Sequence, residues 1–521
     1  MLHHPTQPTE TNPPIQTPSL DTTLDERLHT LLHNHYGYNS FRGNQSAIMK
    51  ALIGGNDVFV RLPTGAGKSL PCILPALLSK GVAFIVSPLI ALMEDQFTKL
   101  VDAKIPATIL HSKVANKRDI LHELQQEDCY FRIVLTTLEQ LLSHAMSDVL
   151  YKMMENGNLA YFALDESHTL VLDAELRTAF QHVGKLRRIA PKTPIIAVTA
   201  SATPEIEEEI KKVTNMKDPQ VFSESVYRGN IRIEVRVKNQ GRVFHQIATL
   251  IRTQFYRQVG IVYVLTTDEC RGLQEFLVSV NLDATMYHGR LDNLIKTKNQ
   301  RDWMGGRVPV MVATCAFGMG IDKLNVRYVA HVSIPHSMEA YYQQYGRVGR
   351  DGLDSSVITF YHPQDICRVV QLIATSIPMT ILQKEKIIRL YQFQDYLQST
   401  VKCRNAFILS YFGEEERTCD PKTNCLCDHC LTVTDCVTID ITREAKIVTV
   451  WLKSNPGFEL HSFTSMLKGM QKQPETICSL FRHWSMPEIE RVLRYLVRLR
   501  ILKMYPAKHQ NSPQIQVKVI V

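Results

Sequence analysis

The chain has 521 residues, of which 45% are hydrophobic and 21% charged, with a formal net charge of +8. That length predicts roughly three or four domains, and the mildly basic balance suits a polyanionic partner. No apolar run reaches the roughly 18–20 residues needed to cross a bilayer, and the N-terminus lacks the apolar core of a signal peptide. No membrane partner is therefore expected, and an intracellular setting is.

Residues 1–22 are rich in Pro, Thr, Gln and Asn and have little to bury, so they read as a disordered tail. Thr23 with Glu26 forms a capping box. Leu24, Leu28, Leu31 and Leu32 then make one apolar stripe, and Gly37 stops the helix. Phe41-Arg42-Gly43-Asn44-Gln45 follows. A glutamine upstream of a phosphate loop can offer an adenine edge both a donor and an acceptor; the plain alternative is an exposed surface residue.

The stretch Asp57–Leu62 reads as a buried strand, and it runs into Pro63-Thr64-Gly65-Ala66-Gly67-Lys68-Ser69. Gly65 and Gly67 let the backbone aim its N–H groups at phosphate oxygens. The following helix, expected over Leu70–Leu78 despite Pro71 and Pro75, adds partial positive charge. Lys68 can reach the β- and γ-phosphates, and the Ser69 hydroxyl can hold Mg²⁺. The strict form of this loop has Gly where Leu62 stands, so the match is partial, and a chance glycine turn is the bland alternative.

Apolar runs at Val82–Val86, Ile133–Leu135, Leu159–Leu164 and Ile195–Val198 alternate with helical stretches such as Ala91–Leu100. This predicts a parallel sheet covered by helices, with ligand groups at the carboxyl ends of its strands. Asp165-Glu166-Ser167-His168 stands at such an end. Asp165 can hold Mg²⁺ and Glu166 can polarise an attacking water; an acidic loop cap is the alternative without the phosphate loop. Thr199-Ala200-Ser201-Ala202-Thr203 ends the next strand with small hydroxyl side chains.

From about residue 225 a second α/β series is expected, with strands at Ile261–Leu265, Ala284–Tyr287, Val308–Val312 and Tyr328–Val332. It lacks a phosphate loop but carries Gly346-Arg347-Val348-Gly349-Arg350-Asp351-Gly352. Arginines of this kind can stabilise charge that develops in phosphoryl transfer; plain surface residues are the bland alternative for Arg347 and Arg350.

Cys403, Cys419, Cys427 and Cys430 have spacings that can close a tetrahedral Zn²⁺ site. Cys425 competes with Cys427 for a place in it, and Cys436 lies just beyond. Ile447, Val448, Trp451 and Leu452 then form one stripe, and a short helix starts at Leu460. Ser485–Glu488 is a further capping box, with Pro487 in the first turn. Behind it, Arg491, Arg494 and Arg498 fall opposite an apolar face, as a phosphate-contacting stripe or a solvated one. Ile501–Tyr505 and Ile515–Val521 alternate around a polar turn at His509–Ser512, which makes a hairpin. Three helices and a hairpin read as a winged helix.

The ordered set resembles the RecQ family of DNA helicases. It comprises Phe41-Arg42-x-x-Gln45, the Pro63–Ser69 loop, Asp165–His168, Ser201-Ala202-Thr203, Val312–Lys323 and Tyr341–Gly352. The resemblance runs from about residue 25 to the C-terminus. It implies an α/β fold of two RecA-like parallel-sheet lobes, over 23–225 and 226–365. A zinc-binding helical module at 366–436 and a winged-helix domain at 437–521 would follow.

By the same resemblance, the cofactors are ATP, Mg²⁺ and Zn²⁺. Gln45 with Arg42 reads adenine, and Thr64, Gly65, Gly67, Lys68 and Ser69 hold phosphate and metal. Asp165 completes the metal site and Glu166 activates water. Gln343, Arg347 and Arg350 complete catalysis from the second lobe. The implied partners are single-stranded and forked DNA, tracked 3′ to 5′, in repair or recombination in the nucleus.

Three positions depart from the family pattern. Ser167 replaces Ala, and Gln344 replaces Glu. The run Thr169–Arg177 lacks the family's aromatic residues, which stack on bases and contribute about 1–3 kcal/mol each. That last departure motivates a second expectation: a nucleic-acid-binding scaffold whose ATPase is weak or uncoupled.

Overall fold

The computed structural model describes residues 23–173, 179–318, 321–376, 381–432, 439–455, 458–469, 479–498, 501–508 and 515–520. It divides into two compact units. The first holds the chain to Leu62, Ala66–Thr199 and Ile206–Glu224; the second holds Pro63–Gly65, Ala200–Glu205 and the chain from Ser225 onward.

The first unit begins with the helix Leu24–Tyr36, capped by the expected Thr23–Glu26 box and ended by Gly37 in the left-handed region at φ +68°. Its sheet has seven strands, all parallel. They are β1 (Val58–Arg61), β2 (Val82–Val86), β3 (Ala107–Leu110), β4 (Ile133–Thr136), β5 (Leu159–Leu164), β6 (Ile195–Thr199) and β7 (Gln220–Ser223). Their spatial order is β3-β4-β2-β5-β6-β1-β7. Strands β1, β2, β4 and β6 are buried throughout, which is why each reads as an unbroken apolar run. The sequence reading missed β3 and β7, the two edges. An edge strand covered on one side only carries a weaker apolar signal, and β7 is largely exposed.

The helix Leu70–Leu78 forms despite its prolines. Pro71 sits in the first turn, where a backbone N–H has no helical partner to lose. Below the sheet, Asp57 ties three strands' ends together. Its carboxylate takes hydrogen bonds from Arg187 Nη2 (2.5 Å), Lys217 N (2.6 Å) and Ile195 N (2.8 Å).

The second unit contains a six-stranded parallel sheet. Its strands are β8 (Ile231–Val237), β9 (Gly260–Tyr263), β10 (Ala284–Tyr287), β11 (Val310–Ala313), β12 (Tyr328–His331) and β13 (Ser355–Tyr361). They lie in the order β10-β11-β9-β12-β13-β8. Strand β8 also escaped the sequence reading, because charged residues alternate along it at the sheet edge, and so did the interior strand β13, whose apolar residues are interrupted by Ser355, Ser356 and Thr359. One apolar cluster runs from Ile231 and Val357 on this sheet through Tyr341, Tyr342 and Tyr345 to Phe393, Tyr396 and Phe412. The helices before and within the cysteine-rich stretch therefore share the core of this sheet.

Beyond residue 439, the helices Thr442–Ser454, Leu460–Leu467 and Met486–Arg498 enclose Val448, Leu452, Phe463, Ile489 and Leu493. A small antiparallel sheet adjoins them: β14 (Phe458–Glu459), β15 (Lys503–Lys508) and β16 (Ile515–Ile520), with β16 in the middle. The hairpin's first strand starts at Lys503, later than expected, because Ile501 and Leu502 still bond back to the Leu496 carbonyl. The turn His509–Ser512 and the side chains of Arg494 and Arg498 lie outside the described residues, as do residues 1–22 and Cys436.

Candidate nucleotide and zinc sites

The phosphate loop leaves the carboxyl end of β1. Gly65 and Gly67 have φ of +85° and +77°, a region where side-chain-bearing residues are strained. The loop is braced from behind by Gln45. This glutamine is 2% exposed, so the surface alternative fails. Its Nε2 donates to the carbonyls of Ala66 (3.2 Å) and Gly67 (3.0 Å), and its Oε1 accepts from the backbone N–H of Arg42 (3.0 Å). The amide expected to face adenine is here bonded to the loop and to the exposed Arg42.

Asp165 and Glu166 follow β5. Ser69, Gln96 and Asp165 line one small pocket with Cys72, Ile73 and Leu135. A hydroxyl and a carboxylate facing the same space form an all-oxygen donor pair that suits Mg²⁺. Asp165 Oδ2 accepts from Gln96 Nε2 (3.2 Å), and Oδ1 accepts from the Glu166 N–H (3.0 Å). Burial, and next the Glu166 charge, push the Asp165 carboxyl up to about 6, while the Lys68 cation opposes the shift. A buried Asp165 carboxylate raised this way beside a second carboxylate suits a cation. Gln96 was not foreseen; its only signal is a polar residue amid the apolar positions of the helix Ile90–Asp102.

Glu166 has φ +49°, which is uncommon for a residue with a side chain. Among the described residues its buried Oε2 has no hydrogen-bond partner; it lies 3.4 Å from His168 Nδ1. His168 Nδ1 in turn meets Thr199 Oγ1 at 3.0 Å, so the acidic turn is linked to the end of β6. Ser167, the departure from the family's Ala, donates its hydroxyl to the Val198 carbonyl (3.1 Å). The extra oxygen is thereby satisfied. The run from Thr169 is a short helix to Leu172; residues 174–177 lie outside the described residues.

In the second unit, Gln343 is carried by the helix Met338–Tyr345. Arg347 is 9% exposed and its Nε has no hydrogen-bond partner. It lies so close to Gly318 that a Cβ there would come within 2.8 Å of the guanidinium. Arg350 donates through Nη1 to the Ile321 carbonyl (2.8 Å) and to Asp322 Oδ1 (3.0 Å). Burial, and then the Arg347 charge, lower the Arg350 pKa to about 10, with Asp322 opposing. Two desolvated cations side by side form a receptor for negative charge. Gln344, the other departure, bonds His331 Nε2 through Oε1 (3.1 Å).

The sulfurs of Cys403, Cys419, Cys427 and Cys430 all lie within 4.8 Å of one another. The Cys403–Cys419 and Cys403–Cys427 separations are 3.6 and 3.8 Å. A tetrahedron with Zn–S bonds of about 2.3 Å has edges of about 3.8 Å, so the four thiols fit Zn²⁺. Cys425 is turned toward Asp354 and Ser355 instead, which separates it from the cluster.

Comparison with known proteins agrees with this arrangement. The chain matches the family models DEAD/DEAH box helicase over 42–212, Helicase conserved C-terminal domain over 242–352 and RecQ zinc-binding over 363–431. It is 32% identical over 435 residues to the putative ATP-dependent DNA helicase Q1 of Caenorhabditis briggsae, covering 82% of this chain and 69% of that protein. The chain belongs to the RecQ helicase family. The RecQ-like DNA helicase BLM of Xenopus laevis is 33% identical over 434 residues, 82% of this chain. This RecQ-family chain spans only 32% of that relative's length. Among solved structures, the DUF1998 helicase MrfA bound to DNA superposes with a TM-score of 0.54 at 19% identity, over 76% of this chain and 59% of MrfA. That likeness supports the two-lobe helicase fold.

Proposed function

We propose that this RecQ-family chain is an ATP-dependent DNA helicase that moves 3′ to 5′ on single-stranded DNA and opens forked duplexes. The observation that carries this is one pocket lined by Ser69, which ends the braced phosphate loop, and by Asp165, with Glu166 next to it in the chain. Lys68 neutralises phosphate charge, and Ser69 with Asp165 would hold Mg²⁺, which adds further charge neutralisation when bound. Glu166 Oε2, left without a hydrogen-bond partner, takes the proton of the attacking water. Arg42 serves the base end, and Gln45 acts on it through the loop and the Arg42 backbone that its amide holds. Gln343, Arg347 and Arg350 supply the remaining groups that stabilise developing charge. Zn²⁺ on the four cysteines is structural, since four protein ligands leave no open position. The family relationship supports a role in repair or recombination and a nuclear location, checked by imaging the tagged protein. The helices and sheet beyond residue 439 serve as a winged helix, with the exposed Arg491 as a phosphate contact.

A second reading rests on the aromatic-free run at 169–177: a nucleic-acid-binding scaffold with weak or uncoupled hydrolysis. Two measurements decide between them. ATP hydrolysis is followed with and without single-stranded DNA or RNA, and unwinding is followed on duplexes with a 3′ or a 5′ overhang. The helicase reading expects DNA stimulation, unwinding from the 3′ overhang and loss of both in Lys68→Ala. A flat response to DNA favours the scaffold, and preferential stimulation by RNA changes the track.

A further inference from the structure

The stretch Tyr411-Phe412-Gly413-Glu414 closes the helix Arg404–Tyr411, which begins at the zinc ligand Cys403. Gly413, at φ +74°, turns the chain off that helix, and the Glu414 N–H bonds back to the Leu409 carbonyl (2.9 Å). This is a helix ending that needs a left-handed residue. The turn carries Glu414 onto the segment with which the main body of the second unit begins, Ser225–Val226. The Glu414 carboxylate accepts from Ser225 Oγ (2.6 Å) and from the Val226 N–H (3.0 Å).

The same stretch also grips the helix that carries Gln343. The Tyr411 hydroxyl donates to Glu339 Oε1 (2.9 Å). Glu339 is 2% exposed, and among the described residues its other oxygen has no hydrogen-bond partner, so its carboxylate is held here by the tyrosine. Phe412 packs on Tyr342 with ring centroids 5.1 Å apart, and the Tyr342 hydroxyl meets the Val226 carbonyl at 3.5 Å. At the other end of the Arg404–Tyr411 helix, Arg404 forks onto Asp428 with two contacts of 3.0 Å. Asp428 also accepts the Val235 N–H of β8 (3.0 Å). A helix of 8 residues, about 12 Å long, thus joins the cysteine cluster to both the Gln343 helix and the first residues of the unit.

We propose that Glu414 and Tyr411 are positioning residues for ATP hydrolysis, fastening the Gln343-bearing helix and the Ser225–Val226 segment to one rigid edge of the zinc module. This rests on the helicase reading given above. Misplacing a reacting or charge-stabilising group by about 1 Å costs on the order of a hundredfold in rate, whereas the phosphate loop that grips nucleotide is untouched. The effect therefore belongs in kcat and not in KM.

The test uses the full chain with saturating single-stranded DNA. Glu414→Ala is expected to lower kcat for ATP hydrolysis by about tenfold or more, with KM for ATP and bound zinc at parent values. Glu414→Gln is expected to recover most of the loss, since its amide oxygen can accept from Val226 and its NH₂ can donate to Ser225 Oγ. Tyr411→Phe is expected to fall in the same direction by less. Parent-like kcat in Glu414→Ala overturns the proposal. So does a loss that merely follows zinc content or folded fraction, or a Gln variant no better than Ala. Lys68→Ala is run alongside: if it still turns over, both this proposal and the helicase reading fail. If it is inactive while Glu414→Ala is intact, only the positioning role fails.

Discussion

Glu166 combines an uncommon backbone conformation with a buried carboxylate oxygen that has no hydrogen-bond partner among the described residues. Fold and chemistry should therefore respond oppositely to its replacement. Glu166→Gln keeps size and shape but removes the base, and positioned general bases contribute about 10²–10⁴ in rate. That corresponds to about 3–5 kcal/mol on the barrier. KM for ATP should stay within a factor of about two, because Lys68 and the loop glycines are unchanged.

Glu166→Gly removes the base and also relieves the left-handed strain at φ +49°, worth about 1 kcal/mol. In a unit of this size that raises the melting temperature by about 2–4 °C, less whatever the flexible glycine adds to the unfolded state. The assays are steady-state ATP hydrolysis with saturating single-stranded DNA and calorimetric melting. Turnover of Glu166→Gln within about twofold of the parent would refute the base assignment. Clear destabilisation of Glu166→Gly would refute the strain argument.

Asp57→Ala should destabilise the first unit by about 3–5 kcal/mol, because it strands the buried Arg187 cation and two backbone donors; urea unfolding measures this. Cys427→Ser should lose bound zinc while Cys425→Ser retains it, read by metal analysis of the purified variants. His331 is buried, which lowers its pKa to about 3, although the Gln344 bond opposes the shift. Its contribution is complete above the unfolded value of about 6.5 and is lost as pH falls below it. By pH 5 the second sheet should be weaker by about 2 kcal/mol. Gln344→Glu, which places a carboxylate at His331 Nε2, should raise the histidine's folded-state pKa toward its unfolded value and so shrink this acid loss, followed by NMR titration and melting.

The helicase architecture is legible in the sequence at most of the buried strands, Ser355–Tyr361 with its interspersed hydroxyl residues being the exception. Strands such as Val82–Val86 and Leu159–Leu164 are flanked by sheet on both sides and covered on both faces, so their apolar runs survive as a local signal. The edge strands Ala107–Leu110, Gln220–Ser223 and Ile231–Val237 have no such signal. Their residues look like loop until neighbouring strands supply the hydrogen bonds. The phosphate loop and acidic box were legible for a different reason: their chemistry depends on residue type at short spacing. What Gln45 bonds was not, because Ala66 and Gly67 lie about twenty residues away along the chain.

Residue identity alone pointed to the groups that could bind phosphate, magnesium and zinc, since side-chain chemistry and near-neighbour spacing are properties of the linear chain. Tertiary structure decided how those groups are held. It turned Cys425 away from the sulfur cluster, put Glu166 into a left-handed turn, and merged the zinc module's helices into the core of the second sheet. Each of these outcomes comes from contacts between residues far apart in sequence, whose free energy exists only once the chain has closed on itself.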